Sequence, residues 1–111
     1  MGDKVFMQDV LLQDLGLSAF APWLNTVFRV RQETGEFVEL VLVEAKPLEA
    51  GGAGRDPRSF QLLFQGPDRF LLPQRMYTFE HDHIGRFALF ISPVGKRPGR
   101  FEYQAVFNRV A

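Results

Sequence analysis

A period-two alternation of apolar and polar residues, broken at short intervals by turn chemistry, runs through this chain from Thr26 onward. Successive side chains of a strand point to opposite faces, so this pattern builds half-buried strands and does not suit a helical bundle. Residues 26–31 send Phe28 and Val30 one way and Arg29 and Arg31 the other. Glu33-Thr34-Gly35-Glu36 reads as a hairpin turn, with Gly35 free to take positive φ. Residues 37–45 return with Val38, Leu40 and Leu42 on one face and Phe37, Glu39, Val41 and Val43 on the other. Both faces are largely apolar, which predicts a central strand or one covered on its second side.

Four further runs follow. Residues 59–65 face inward with Phe60, Leu62 and Phe64, and Gly66-Pro67-Asp68 is expected to turn the chain. Residues 75–81 face inward with Tyr77 and Phe79, and Asp82-His83-Ile84-Gly85 turns again. Residues 86–92 place Phe87, Leu89 and Ile91 together, opposite Ala88 and Phe90. Pro93 is expected to end that strand, because proline cannot donate to a ladder. Lys96-Arg97-Pro98-Gly99 is a tight basic turn before the last strand, residues 101–107. The pattern predicts an all-β fold, a small antiparallel barrel or sandwich of about six strands.

The N-terminal part differs. Val5, Phe6, Val10, Leu11 and Leu12 recur at rough helical spacing. Ser18 reads as an N-cap and Pro22 suits a helical first turn, so a short helical segment should plug Phe20, Trp23 and Leu24 onto the core. We expect a single domain over residues 1–111. It divides into a helical segment over 1–24, a β meander over 25–111 and a flexible Gly/Pro-rich loop over 46–58.

Composition removes several chemistries. With no cysteine, a disulfide framework, a cysteine-ligated zinc site and a thiol nucleophile are excluded. Ten of the 12 phenylalanines fall in the strands or beside them, where each can bury about 150–250 Å². No apolar run reaches the ~18 residues of a membrane span, and the N-terminus lacks a signal-peptide pattern, so a cytoplasmic protein without membrane contact is expected. The net charge of zero conceals opposite halves. Residues 1–54 carry four basic and eight acidic side chains, and residues 55–111 carry nine and five. Pairing across strands of one fold is the expected use, and head-to-tail association of two copies is the alternative.

Candidate chemistry is sparse. His81 and His83, two residues apart on one strand face, are weak metal-ligand candidates against a solvated hairpin tip. Gly51-Gly52-Ala53-Gly54-Arg55 lacks the lysine and hydroxyl of a phosphate loop and reads as a linker. The basic turn ending at Arg100 lies near Phe101 and Tyr103, but the alternation points those rings to the core, so no nucleic-acid binding is expected. Ser18, Ser59 and Ser92 have no His-Asp arrangement nearby in sequence, so no catalytic set and no cofactor are assigned.

Four stretches together carry a resemblance. They are Leu17-Ser18-x-Phe20-x-Pro22-x-Leu24 leading to Phe28-Arg29-Val30; Phe60-x-Leu62-x-Phe64-x-Gly66-Pro67; Leu72-Pro73-Gln74-x-x-Tyr77; and Phe90-x-x-Pro93-Val94-Gly95 before Tyr103-x-Ala105-Val106-Phe107-Asn108. The chain resembles a family of small bacterial proteins of unknown function, often encoded near phage-tail or tail-collar proteins. The resemblance implies no catalytic or ligand residues. Asn25 stands where that pattern usually has glycine, and asparagine also tolerates positive φ.

The expected function is therefore a non-enzymatic structural or protein-interaction module, a phage-tail-like assembly accessory that self-associates or binds a protein partner. Its candidate contacts are the second-face residues Val41, Val43, Leu63, Phe90 and Val106, with Arg97 and Arg100. The alternative is a small barrel holding an apolar ligand, with Arg29, Arg31, Tyr77 or His81 at its mouth.

Overall fold

The computed structural model describes residues 9–11, 15–48, 59–69 and 71–107. Six antiparallel strands follow a short helical segment: β1 (Val27–Arg31), β2 (Phe37–Pro47), β3 (Phe60–Pro67), β4 (Arg75–His81), β5 (Gly85–Arg97) and β6 (Arg100–Phe107). They close a barrel in the order β1-β2-β3-β6-β5-β4. The chain makes two three-stranded meanders, β1 to β3 and β4 to β6. They join through β3 against β6 and β4 against β1, so the single meander read from sequence is corrected. Closure gives every strand two neighbours and leaves no free sheet edge along its paired stretch.

The alternation sets the core. Phe28, Val30, Val38, Leu40, Leu42, Phe60, Leu62, Phe64, Phe79, Phe87, Leu89 and Ile91 all point into the barrel and are buried. Two bulges bend the long strands, one between Leu42 and Glu44 in β2 and one between Pro93 and Gly95 in β5. Each adds a residue to one strand and sharpens its curl, as a small barrel requires. β5 pairs with β4 as far as Ile91 and with β6 from Ser92 onward. Pro93 therefore does not end the strand. It sits beside the bulge, after the β4 ladder has stopped, where a missing N–H is tolerated.

Other boundaries also move. β3 continues through Gly66 and Pro67, and the turn falls at Asp68 and Arg69. Lys46 and Pro47 belong to β2, opposite Gln61 and Phe60, and Leu48 N–H donates to the Ser59 carbonyl. Of the expected loop over 46–58, residues 49–58 lie outside the described residues, as does the glycine run within it.

Each end of the barrel is stoppered. At one end α1 (Leu17–Phe20) and a 3-10 turn (Ala21–Trp23) deliver Phe20, which is fully buried. Its ring meets Phe28, Phe60, Phe87 and Phe107 at centroid distances of 6.4, 5.9, 5.7 and 5.7 Å. Gly16 precedes the helix and Ser18 lies exposed within it, so the expected serine cap is not formed. Trp23 is only half-buried and Leu24 is exposed, which leaves Phe20 as the plug proper. The helical spacing from Val5 to Leu12 falls mostly outside the described residues; within them Asp9 forms a parallel bridge to Arg86. At the other end the crossing from β3 to β4 buries Leu72, whose N–H donates to the Tyr103 hydroxyl at 3.0 Å. Tyr77 OH donates to the Pro73 carbonyl at 2.7 Å.

Asn25 takes the expected left-handed conformation, at φ 66°, and its N–H donates to the Leu42 carbonyl. Chemical denaturation should find Asn25→Gly neutral within about 1 kcal/mol. Asn25→Val should cost about 1–2 kcal/mol, because a Cβ-branched residue has no easy left-handed basin.

Candidate functional site

Two regions carry polar or apolar groups beyond the needs of the core. The first is the plugged end. His81 closes β4 and is buried, at 2% exposed, so it is not part of a solvated hairpin tip. Its Nδ1 accepts N–H bonds from His83 at 3.1 Å and Ile84 at 3.2 Å, which close the β4–β5 turn. Its Nε2 lies 3.0 Å from the Thr26 hydroxyl, and that hydroxyl donates its one hydrogen to the Trp23 carbonyl at 2.6 Å. The partners fix the tautomer: Nδ1 is bare and Nε2 carries the proton.

That assignment decides two chemical readings. Neither ring nitrogen of His81 has a free lone pair, so the expected ligand pair with His83 is not assembled. Among the described residues no group of three metal-ligating side chains occurs. The Thr26–His81 contact has the spacing of a nucleophile and its base, but a protonated Nε2 cannot accept the hydroxyl proton. His83 stacks flat on Trp23 at 4.2 Å and 5°, and Arg29 ties the turn down through Asp82 at 2.9 Å. Thr26 and Trp23 were not legible as His81 partners, since 55 residues separate Thr26 from His81.

The second region is the outer wall. Phe90 stands in cross-strand register with Met76, and they are 46% and 56% exposed. The pairing of Ser92 with Gln104 carries Phe90 toward Val106, itself 52% exposed. Val41, Val43 and Leu63 lie on the β2–β3 side and are only half-buried. Val41 and Val43 line a shallow groove of about 380 Å³ with Gln65 and Arg100. Thus the structure divides the expected contact residues between two stretches of wall. Met76 was missed, although its position opposite Tyr77 and Phe79 in the alternation marked it as outward.

Arg97 and Arg100 are drawn into a network around Glu102. Arg97 Nε and Gln65 Nε2 both donate to its carboxylate at 3.0 Å, and Arg100 donates to Gln65 at 2.8 Å. The Gln65 bond first, then Arg97, holds the Glu102 carboxyl below its ordinary range. Lys96 covers the Phe101 ring at 5.5 Å and Tyr103 is buried, so neither ring of this hairpin is free to stack a base.

Ion pairs join the two sequence halves across the outside of the barrel, two of them in the sense of the charge imbalance (Arg75–Glu33, Arg86–Asp9) and two against it (Arg29–Asp82, Arg31–Glu80). The four residues suggested for a ligand mouth are not brought together. Arg29 and Arg31 point outward, Tyr77 is tied to Pro73 at one end, and His81 is locked at the other. Phenylalanine rings fill the space between, with Phe28 against Phe64, Phe64 against Phe79 and Phe79 against Phe87 at 5.3–5.7 Å.

Fold and surface together define a small, closed, aromatic-cored β-barrel with both ends stoppered. The chain belongs to a family described as a domain of unknown function, DUF6916, whose pattern matches residues 15–107. That span takes in the plug helix and all six strands. No curated protein and no solved structure matches the chain. No helix among the described residues is long and apolar enough to cross a membrane.

Proposed function

We propose that this domain is a non-enzymatic interaction module that associates with a second copy of itself through the outer wall of β4 and β5, centred on Met76 and Phe90. The observation that carries the reading is that two large apolar side chains, in register, stay exposed on the outside of a barrel whose interior is already filled. Such a patch gains nothing from its own fold and is buried only against a partner. Both signs of charge flank it, with Arg75 and Glu33 beside Met76 and Arg86 beyond Ala88. A patch of mixed charge around an apolar centre can be complementary to itself across a two-fold axis. The setting, a bacterial accessory of phage-tail-like assembly, rests on the sequence resemblance.

The test is light scattering behind size exclusion. The wild-type chain should run as a dimer or larger at high concentration. Phe90→Glu combined with Met76→Glu should run as a folded monomer, since both side chains point outward. A wild-type chain that stays monomeric at every concentration overturns the reading.

A further inference from the structure

The buried histidine at the plugged end hydrogen-bonds to two pieces of structure that otherwise meet through the His83–Trp23 stack. On one side its Nδ1 organises the turn between β4 and β5 by accepting the His83 and Ile84 N–H groups. On the other its Nε2–H is held by Thr26, whose hydroxyl reaches the last carbonyl of the 3-10 turn at Trp23. That turn follows directly on the helix that carries Phe20 into the barrel. The imidazole ring is wedged between Phe28 at 4.3 Å and Trp23 at 5.4 Å.

We propose that His81 is an acid-sensitive latch: its protonation releases the β4–β5 turn and the helical plug from each other while the barrel remains closed. The only site left for a second proton is Nδ1. A proton there points at two N–H donors 3.1 and 3.2 Å away and destroys both bonds that shape the turn. The neutral ring satisfies every partner, and the charged ring satisfies neither half of the turn. The arrangement is bistable in the sense a switch needs: one proton decides between two bonding schemes.

The charges facing the ring act in both directions. The 3-10 turn presents Trp23 and no charge, β1 presents Arg29, and the turn presents Asp82 and His83. Burial lowers the His81 pKa first, the His83 and Arg29 charges lower it further, and Asp82 opposes them. The unfolded or unlatched imidazole therefore binds a proton more readily than the latched one. Latching is fully present above the ordinary histidine value of 6.5 and is lost as pH falls below it through the lowered value.

The sequence supplies its own probe, because Trp23 is the single tryptophan and stacks on this assembly. The full chain is titrated between about pH 8 and pH 5, with acrylamide quenching of Trp23 followed beside the far-ultraviolet circular dichroism of the sheet. The quenching constant should rise several-fold at a midpoint below 6.5 while the sheet signal holds. His81→Gln should abolish the step, and His83→Gln should keep it, which separates the latch from direct quenching by the stacked ring. Nitrogen chemical shifts of the wild-type imidazoles give a readout that needs no variant: His81 should be a neutral Nε2–H tautomer at neutral pH. A step that survives His81→Gln, a Trp23 whose accessibility does not change, a sheet that melts at the same midpoint, or an Nδ1–H tautomer each overturns the latch.

Discussion

Phe20→Ala is expected to lower the unfolding free energy by about 3–5 kcal/mol, the usual range for emptying a fully buried phenylalanine site. The ring is fully buried, and four other phenylalanines from β1, β3, β5 and β6 lean on it. Those strands are held apart at this end by the plug and cannot collapse into the hole without breaking ladder bonds. The cavity term should therefore be near the top of its range. For a domain near 100 residues each kcal/mol shifts the melting midpoint by about 4–8 °C, so a thermal melt reads the effect directly. Phe20→Leu keeps most of the volume and should recover most of the loss. A loss below about 1 kcal/mol for Phe20→Ala would mean that the helix is an appendage and not a stopper.

Gly66→Ala is the second large effect, expected at about 1–3 kcal/mol from overpacking. Gly66 is buried near the end of β3, opposite Phe101 and on the same inward face as Phe60, Leu62 and Phe64. A Cβ built there collides with a terminal methyl of Leu40, and the Tyr103 ring edge lies 3.5 Å away. Both neighbours are buried, so a shift of the Leu40 methyl must displace other core atoms. If that clash is the cause, the two sites must couple. Urea unfolding of Gly66→Ala, Leu40→Ala and the double variant should show the double losing less than the two singles together. Simple additivity would discard the steric explanation.

Gly66 also illustrates how far the sequence could be read. Beside Pro67 and Asp68 it has the local signature of a turn. In the barrel the same residue relieves crowding where two layers of side chains meet, a need that exists only once β2 and β6 are in place. Pro93 fails in the same way. A proline ends a strand that has two ladders, but β5 has already lost β4 when it reaches Pro93. By contrast, Gly35 and Asn25 were legible because positive φ is a local demand, and both have it. The burial of His81 is invisible in the local sequence, since it comes from Trp23, Thr26 and Phe28, which reach it from a distant part of the chain.

The period-two pattern by itself determined the strand class, the inward set from Phe28 to Phe107 and the hairpin turns. Each of these follows from neighbours one to four residues apart, where backbone geometry and side-chain alternation suffice. Only the tertiary structure decided that the sheet closes through β1–β4 and β3–β6, and that Phe20 stoppers it. It also decided that His81 spends both nitrogens on structure and that Met76 joins Phe90 outside. Those outcomes depend on which strands lie side by side, and an alternating pattern has the same period whichever neighbour it meets.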